Sequence, residues 1–140
     1  MKLHPAVAEQ AEANRPVSLD HLGVAEQRRF AHLRADLNFL RFGTPGPPVA
    51  AVEDHFLRVD GERVRLRIYR SRTNAALPVH LRLHGGGWWQ GSIDYAFGDA
   101  QCRRLCIEAD LAVADVDYRL APEHPYPSGL NDVYAALVWL

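Results

Sequence analysis

The sequence predicts an α/β fold with a partly parallel sheet. Residues 1–42 have a helical pattern, a β-hairpin follows, and from residue 79 onward strand and helix patterns alternate. Such alternation is typical of parallel strands that are joined by crossover helices. The length of 140 residues is that of one ordinary domain, and 48% hydrophobic with 24% charged residues is a globular composition.

The N-terminal helical pattern ends before a linker. One stripe of a helix is formed by Phe30, Leu33, Leu37 and Leu40. Gly43 is a typical C-terminal stop, and the segment 44–50, rich in proline and glycine, is predicted to be a stiff linker. We therefore expect a helical segment over residues 1–43 to precede a core over residues 51–140.

Two short strands follow the linker. The dipeptide Asp60-Gly61 after the first strand is suited to a tight hairpin turn. Beyond it, RVRLRIYR alternates apolar and cationic side chains, which is the pattern of a half-buried strand. We interpret the row of Arg63, Arg65 and Arg67 as the solvated face of an outer strand, because no aromatic residues interleave with it.

The remaining elements alternate. They are predicted as a strand over about 79–83, a helix over 99–110, a strand over 111–118 and a helix over 128–140. Cys102 and Cys106 are expected to be reduced core residues. The last helix has an apolar stripe of Leu130, Val133, Leu137 and Leu140. It has no glycine or basic turn at its end, so we expect the chain to stop within a longer fold.

Charge and hydropathy exclude several classes of protein. A net charge of -1 and a pI near 6.6 give no electrostatic footprint for nucleic acid or an anionic membrane. No apolar run approaches the roughly 18 residues that suggest a membrane span, and the N-terminus lacks the apolar core of a signal peptide. We expect a cytoplasmic protein.

The stretch LRLHGGGWWQGSIDY, residues 81–95, allows three interpretations. A tight turn after a strand needs one or two glycines for positive φ, but not the flanking histidine and tryptophans. A phosphate-binding loop is suggested by Gly85-x-Gly87-x-x-x-Gly91. It is disfavoured because the loop opens on two tryptophans rather than a helix N-terminus, and no Lys-Ser/Thr pair follows.

The third interpretation is an oxyanion hole. Acyl transfer builds negative charge on a carbonyl oxygen, and fixed backbone N–H donors stabilise that charge. Side chains at those positions would obstruct the substrate, which favours glycine. An HGGG motif after the third strand is the oxyanion-hole element of lipases and esterases. His84-Gly85-Gly86-Gly87 follows the third predicted strand, so we favour this interpretation.

Two motifs in order carry a resemblance to a known family. HGGGW with Gly91-Ser92 and Asp94, followed by DYRLAPEHPYP at 117–127, resembles the hormone-sensitive-lipase family of α/β-hydrolase carboxylesterases. The resemblance implies an incomplete α/β-hydrolase fold: an N-terminal helical cap over 1–43, the linker 44–50, and the N-terminal half of the hydrolase core over 51–140. It also implies a small-molecule ester as substrate of the complete protein, and neither metal nor organic cofactor.

The resemblance implies a role for each matching residue. Gly86 and Gly87 would donate the oxyanion N–H groups, Gly85 would give the backbone room to turn, and His84 would shape the loop. Trp88 would wall the substrate pocket. The residues implied to form a buried polar network behind the loop are Asp117, Tyr118, Arg119 and Glu123.

The catalytic side chains of such an esterase are absent from these 140 residues. None of the serines, Ser18, Ser71, Ser92 and Ser128, lies in the G-x-S-x-G elbow that presents the family's nucleophile. Six of the seven histidines lie in the cap, strand and turn patterns, where a structural role is expected, and the seventh is His84 of the HGGG motif. We expect this chain alone to be inactive. A non-catalytic binding or regulatory half-domain that assembles with another chain stays open.

The third strand departs from the family. His80 and Arg82 share one face of it, where the family usually has apolar or aromatic residues. An unpaired buried arginine would cost several kcal/mol, so we expect either a partner carboxylate or a less covered face. In the family this strand pairs with a further strand that these 140 residues do not include, so its open edge is a site of self-association or aggregation.

Overall fold

The computed structural model describes residues 4–73 and 75–140, and the chain divides into two compact units. One unit reaches Thr44 and the other is Pro45–Leu140. Residues 1–3 of the predicted cap segment lie outside the described residues.

The first unit contains two helices. Helix α1 is Pro5–Ala13 and helix α2 is Val24–Phe42. Glu26 Oε2 accepts a hydrogen bond from the Gly23 N–H at 3.0 Å, which caps the first turn of α2. The helix ends before Gly43, where a Cβ would lie 2.6 Å from the Phe39 carbonyl oxygen. Within its unit, the predicted apolar stripe of α2 is exposed.

The second unit is a four-stranded mixed sheet with two helices. Its elements are β1 (Ala51–Val59), β2 (Glu62–Arg70), β3 (Val79–Leu83), α3 (Ala96–Glu108), β4 (Ala112–Asp117) and α4 (Ser128–Trp139). The strand order is β1-β2-β4-β3; β3 and β4 are parallel, and the other pairs are antiparallel. The predicted α/β architecture is confirmed.

The turn between β1 and β2 follows from its dipeptide. Asp60 and Gly61 have φ of 53° and 85°. Two positive φ values are what a type I′ hairpin requires, and Asp-Gly is a favoured sequence for them. The predicted hairpin is confirmed, and β1 pairs with β2 along its whole length from Ala51 to Val59.

The two faces of the sheet carry different chemistry. One face is apolar and packs with α4 through residues that include Leu66, Ala114, Val116 and Ala136. The other face holds a smaller apolar cluster in which Tyr69 and Val113 pack against Cys102 and Cys106 of α3. Both cysteines are free and buried, as predicted.

The face of the sheet with the smaller cluster also carries charged side chains, among them Arg65 and Arg67. The prediction that these arginines lie on the solvated face of an outer strand is wrong. Strand β2 is not an outer strand, because it lies between β1 and β4. The side chains of Arg65 and Arg67 are only 23% and 19% exposed. Arg65 donates to Asp117 at 2.9 Å and also to Asp94, and Arg67 binds Asp54 through two contacts of 2.7 and 2.8 Å. These arginines are paired rather than solvated.

Helix α4 corrects a second prediction. Three residues of its predicted apolar stripe, Leu130, Leu137 and Leu140, are exposed, while Val133 packs against the core. The buried face is formed instead by Gly129, Asp132 and Ala136. Two of these residues are small, which lets the helix approach the sheet closely. A Cβ at Gly129 would lie 2.9 Å from the Arg119 carbonyl oxygen.

None of the helices in the described part of the chain is both long and apolar enough to cross a membrane.

Acid is expected to destabilise the fold through Asp54 and Asp94. The hydrogen bonds of Arg67 lower the pKa of Asp54 against the opposing effect of burial. Burial acts to raise the pKa of Asp94, but the hydrogen bonds and charges of Arg65 and Arg67 outweigh it and lower that pKa. Carboxylates with lowered pKa stabilise the folded state above their unfolded pKa of about 3.9, and this stabilisation is lost as the pH falls through the folded pKa.

We therefore expect the free energy of unfolding in urea to fall as the pH decreases from about 5 to about 2. Asp94→Asn is expected to make that fall smaller. The control Asp20→Asn removes a surface carboxylate that bonds to Ser18 and should leave the pH dependence unchanged. An Asp94→Asn variant with the wild-type pH dependence would contradict the assigned ion pairs.

Candidate functional site

The glycine-rich segment lies at one end of the parallel β3–β4 pair. His84 directly follows β3, and the segment from Tyr118 onward directly follows β4. Since parallel strands end at the same edge of a sheet, the two loops leave side by side. Ligands bind at this carboxyl edge in open α/β sheets.

The backbone of the glycine loop is held by close contacts that only glycine allows. Gly86 has φ of 130°, and a Cβ on it would lie 1.9 Å from the Gln90 carbonyl oxygen. Gly91 has φ of 106°, and a Cβ on it would lie 2.2 Å from the Gly85 carbonyl oxygen. The Gln90 N–H donates to the Gly86 carbonyl at 3.1 Å, which closes the turn. The geometry of the turn therefore explains why positions 86 and 91 are occupied by glycine.

Turn geometry does not explain Gly85. Its φ lies outside the left-handed region, and a Cβ on it would meet no atom within 4 Å. Among the described residues, no protein acceptor takes the N–H of Gly86 or of Gly87. Gly87 has φ of 61° and is exposed. The loop thus has two backbone N–H groups that no protein acceptor takes among the described residues, beside an open backbone at Gly85.

His84 is fixed against Tyr118. The imidazole is 6% exposed and stacks on the Tyr118 ring, with 4.2 Å between centroids and 8° between planes. The Tyr118 hydroxyl donates to the His84 carbonyl at 2.7 Å. His84 Nδ1 lies 2.9 Å from the Gly85 carbonyl oxygen. A carbonyl only accepts, so Nδ1 carries the proton and donates. All three contacts shape the start of the loop.

Trp88 borders an apolar cavity of about 320 Å³. Its carbonyl accepts a hydrogen bond from the Ala121 N–H at 2.9 Å, which joins the two loops. Its ring lies 4.9 Å from that of Tyr118 and against Gly129 of α4. The cavity wall is completed by residues that include His124, Tyr126, Pro127 and Leu130.

The predicted polar network around Asp117 divides into separate contacts. Asp117 binds Arg65, and Tyr118 binds the His84 carbonyl. Arg119 donates to Asp132 through both its backbone N–H, at 2.8 Å, and its guanidinium, at 2.7 Å. The hydrogen bond to Asp132 raises the pKa of Arg119 although burial opposes it. Glu123 is exposed, so its predicted burial is wrong.

Of the two alternatives predicted for Arg82, a partner carboxylate or a less covered face, the structure shows a partner carboxylate, Asp115. Arg82 Nη1 lies 2.6 Å from Asp115 Oδ2, and Arg82 Nη2 donates to Gln101 Oε1 at 3.1 Å. The Cys102 thiol also faces Asp115 Oδ2, at 3.4 Å. Burial raises the pKa of Cys102 to about 12, so this thiol is not a reactive nucleophile at neutral pH. His80 is exposed and needs no buried partner.

Sequence reasoning missed Asp115 and Asp132 as structural partners. Both carboxylates are fully buried. Asp115 binds Arg82, 33 residues away along the chain, and Asp132 binds Arg119, 13 residues away. A signal was present for Asp132. It shares one helical face with Gly129 and Ala136, and a carboxylate on a small-residue face indicates a buried cationic partner.

No serine side chain hydrogen-bonds to a histidine among the described residues. Ser18 and Ser71 donate to Asp20 and Asp110, and the Ser92 hydroxyl accepts from the Asp94 N–H at 3.1 Å. The described ranges also contain no group of three or more His, Cys, Asp or Glu side chains that could hold a metal ion.

Several of the proteins to which this chain is similar are named esterases or carboxylesterases. Residues 80–140 match the family with the α/β-hydrolase fold. The carboxylic ester hydrolase LipN of Mycobacterium tuberculosis is 36% identical over 140 aligned residues, which cover 98% of this chain and 36% of LipN. The carboxylesterase NlhH of the same species is 40% identical over 76% of this chain and 34% of its own length.

Solved structures of esterases are also similar to this chain. The hyperthermophilic esterase from Pyrobaculum calidifontis is 33% identical and superposes with a TM-score of 0.82 over 99% of this chain and 44% of its own. EstE1, a thermostable carboxylesterase from a metagenomic library, is 36% identical with a TM-score of 0.76 over 88% of this chain and 40% of its own. This chain therefore spans between about a third and under a half of these relatives.

Gly86→Ala is expected to lower the free energy of unfolding in urea by at least about 2 kcal/mol, because the new Cβ clashes with the Gln90 carbonyl and alanine disfavours this φ. Gly85→Ala is the matched control and should change it by no more than about 0.5 kcal/mol. Equal losses in the two variants would contradict the described loop geometry.

Asp132→Asn is expected to lower the free energy of unfolding by about 2 to 3 kcal/mol, because the charge-assisted hydrogen bonds to a mostly buried arginine are lost. Asp60→Asn changes the other carboxylate that binds Arg119, an exposed one, and should cost less than about 1 kcal/mol. Chemical denaturation of both variants measures the difference. The reverse order would refute Asp132 as the principal partner of Arg119.

Proposed function

We propose that this chain belongs to the hormone-sensitive-lipase family of α/β-hydrolase carboxylesterases and supplies the oxyanion hole of a carboxylic ester hydrolase. The observation that carries the proposal is the pair of N–H groups at Gly86 and Gly87, which no protein acceptor takes among the described residues. They lie at the carboxyl edge of the sheet, where the open backbone at Gly85 leaves room for a ligand.

The proposed chemistry is stabilisation of charge. Attack on an ester carbonyl moves negative charge onto its oxygen, which then accepts hydrogen bonds from Gly86 and Gly87. Because His84 and Tyr118 fix the loop beforehand, these donors need no reorganisation when the charge develops. Loss of one such donor costs about 3 to 4 kcal/mol of transition-state stabilisation in other enzymes.

Trp88 is proposed to wall the substrate site, and Asp117, Arg119 and Glu123 to brace the loop that follows β4. The ion pairs of Asp117 with Arg65 and of Arg119 with Asp132 support the bracing role. We propose that the segment 1–43 is the cap of the acyl site and that ester hydrolysis needs no cofactor.

We further propose that the 140-residue chain is inactive by itself. It contains no G-x-S-x-G sequence to present a nucleophile, and none of its serines bonds to a histidine among the described residues. The chain then holds the charge-stabilising part of the site without the group that attacks the carbonyl.

One observation favours a second candidate, a binding half-domain that assembles with another chain. Strand β3 pairs with β4 alone among the described residues, and its apolar Val79 and Leu83 are exposed. Helix α4 also exposes apolar side chains, among them Leu137 and Trp139. A partner chain that added a strand to β3 would cover this edge.

A chimera tests the principal proposal. The full 140-residue chain is joined to the part of the Pyrobaculum calidifontis esterase that follows its aligned segment. We expect the chimera to hydrolyse short-chain nitrophenyl esters and a serine-directed phosphonate to abolish this activity. Gly86→Ala in the chimera should lower kcat by about 100-fold or more, because the loop that carries the donors must move.

Two controls accompany the chimera. Gly61→Asn changes another glycine with positive φ, in the β1–β2 turn, where asparagine is tolerated and no atom lies near, and should retain activity. The 140-residue chain alone should give no turnover. A folded but inactive chimera, or phosphonate-sensitive turnover by the chain alone, would each refute part of the proposal.

A further inference from the structure

We propose that Asp115 is a positioning residue for the glycine loop, and that it acts on His84 through one buried water molecule that donates to both Asp115 Oδ1 and His84 Nε2. A role of this bridge in ester hydrolysis rests on the proposed function. Two buried side-chain atoms, one on each residue, have no hydrogen-bond partner among the described residues.

The first atom is His84 Nε2. Because Nδ1 donates to the Gly85 carbonyl, Nε2 of the neutral ring is an acceptor with a lone pair. It is buried and has no protein partner among the described residues. Buried polar atoms in native proteins are almost always hydrogen-bonded, so this lone pair requires a donor.

The second atom is Asp115 Oδ1. The carboxylate is fully buried, and its other oxygen, Oδ2, receives both Arg82 and the Cys102 thiol. Oδ1 has no protein partner within the described part of the chain. An ionised carboxylate only accepts, so Oδ1 also requires a donor.

The strand register brings these two atoms to one region. Arg82 is directly opposite Asp115 across the parallel β3–β4 pair. His84 lies two residues after Arg82, and side chains two residues apart along a strand project to the same face. The electrostatics agree: burial raises the pKa of Asp115 and the charge of Arg82 opposes that rise, and a charge on the His84 ring would act in the same direction, which places His84 near this carboxylate.

Two acceptors cannot bond to each other, but a water molecule has two protons to donate. One proton directed at Oδ1 and one at Nε2 would satisfy both atoms while His84 stays neutral and Asp115 stays paired with Arg82. Buried waters in proteins commonly occupy sites of this kind. The bridge would stabilise the tautomer of His84 in which Nδ1 holds the Gly85 carbonyl, so Asp115 would set the direction in which the loop leaves β3.

Side-chain nitrogen NMR of the full chain tests the proposal directly. Long-range proton–nitrogen correlations are expected to show His84 as a neutral ring with the proton on Nδ1. Cross-relaxation is expected between a long-lived water and the ring protons next to Nε2. A proton on Nε2, a doubly protonated ring, or the absence of a long-lived water would each overturn the proposal.

Two variants separate positioning from general stability. Arg82→Met with Asp115→Val removes the buried ion pair jointly, which avoids an unpaired buried charge. We expect loss of the water signal, a mixture of His84 tautomers and about tenfold faster amide exchange at Gly86 and Gly87. The control Cys102→Ala removes a contact to Oδ2 only and should leave the His84 spectrum unchanged.

A double variant that folds and keeps the wild-type tautomer would refute the role of Asp115. If the double variant fails to fold, the His84 tautomer and the water signal measured on the unaltered chain decide whether the bridge exists. None of these measurements uses ester hydrolysis. An inactive chimera would therefore refute the proposed function and leave the water bridge untouched, while a missing water would refute the bridge and leave the proposed function untouched.

Discussion

The parallel pairing of β3 with β4 is the constraint on which the candidate site depends. It makes the two strands end together, so that the glycine loop and the DYRLAPEHPYP segment leave the sheet side by side. The hydrogen bond from Tyr118 to the His84 carbonyl and the one from Ala121 to the Trp88 carbonyl are both consequences of that geometry. Without the shared edge, these two hydrogen bonds between the loops could not form.

The rest of the sheet holds the far end of the glycine loop. Asp94 lies at the end of that segment and is bound by both Arg65 and Arg67 of β2. Arg65 also binds Asp117 at the end of β4. The loop is therefore attached at its start through His84 and at its end through Asp94, while Gly91 packs against the histidine ring between them. A flexible sequence of glycines becomes a fixed backbone surface.

The sequence predicts those features of the fold that depend on near neighbours. The β1–β2 hairpin and the bounds of β3 are examples, because Asp60-Gly61 and a short apolar alternation carry their own signals. Predictions were wrong for features that depend on partners distant in the sequence. Arg65 was predicted to be solvated, because the two carboxylates that bind it lie 29 and 52 residues away along the chain. The motif located the candidate loop, but the pairing of Asp115 with Arg82 required the register of β3 and β4.

The contact between His84 and Tyr118 joins residues 34 positions apart, with all of α3 between them. During synthesis the glycine loop leaves the ribosome well before the tyrosine that fixes it. Non-local contacts of this kind form late in folding, because the intervening chain must be closed before they contribute. The candidate oxyanion loop therefore gains this contact only after Tyr118 has been synthesised, and a nascent chain that stops before β4 exposes the loop together with an unpaired β3.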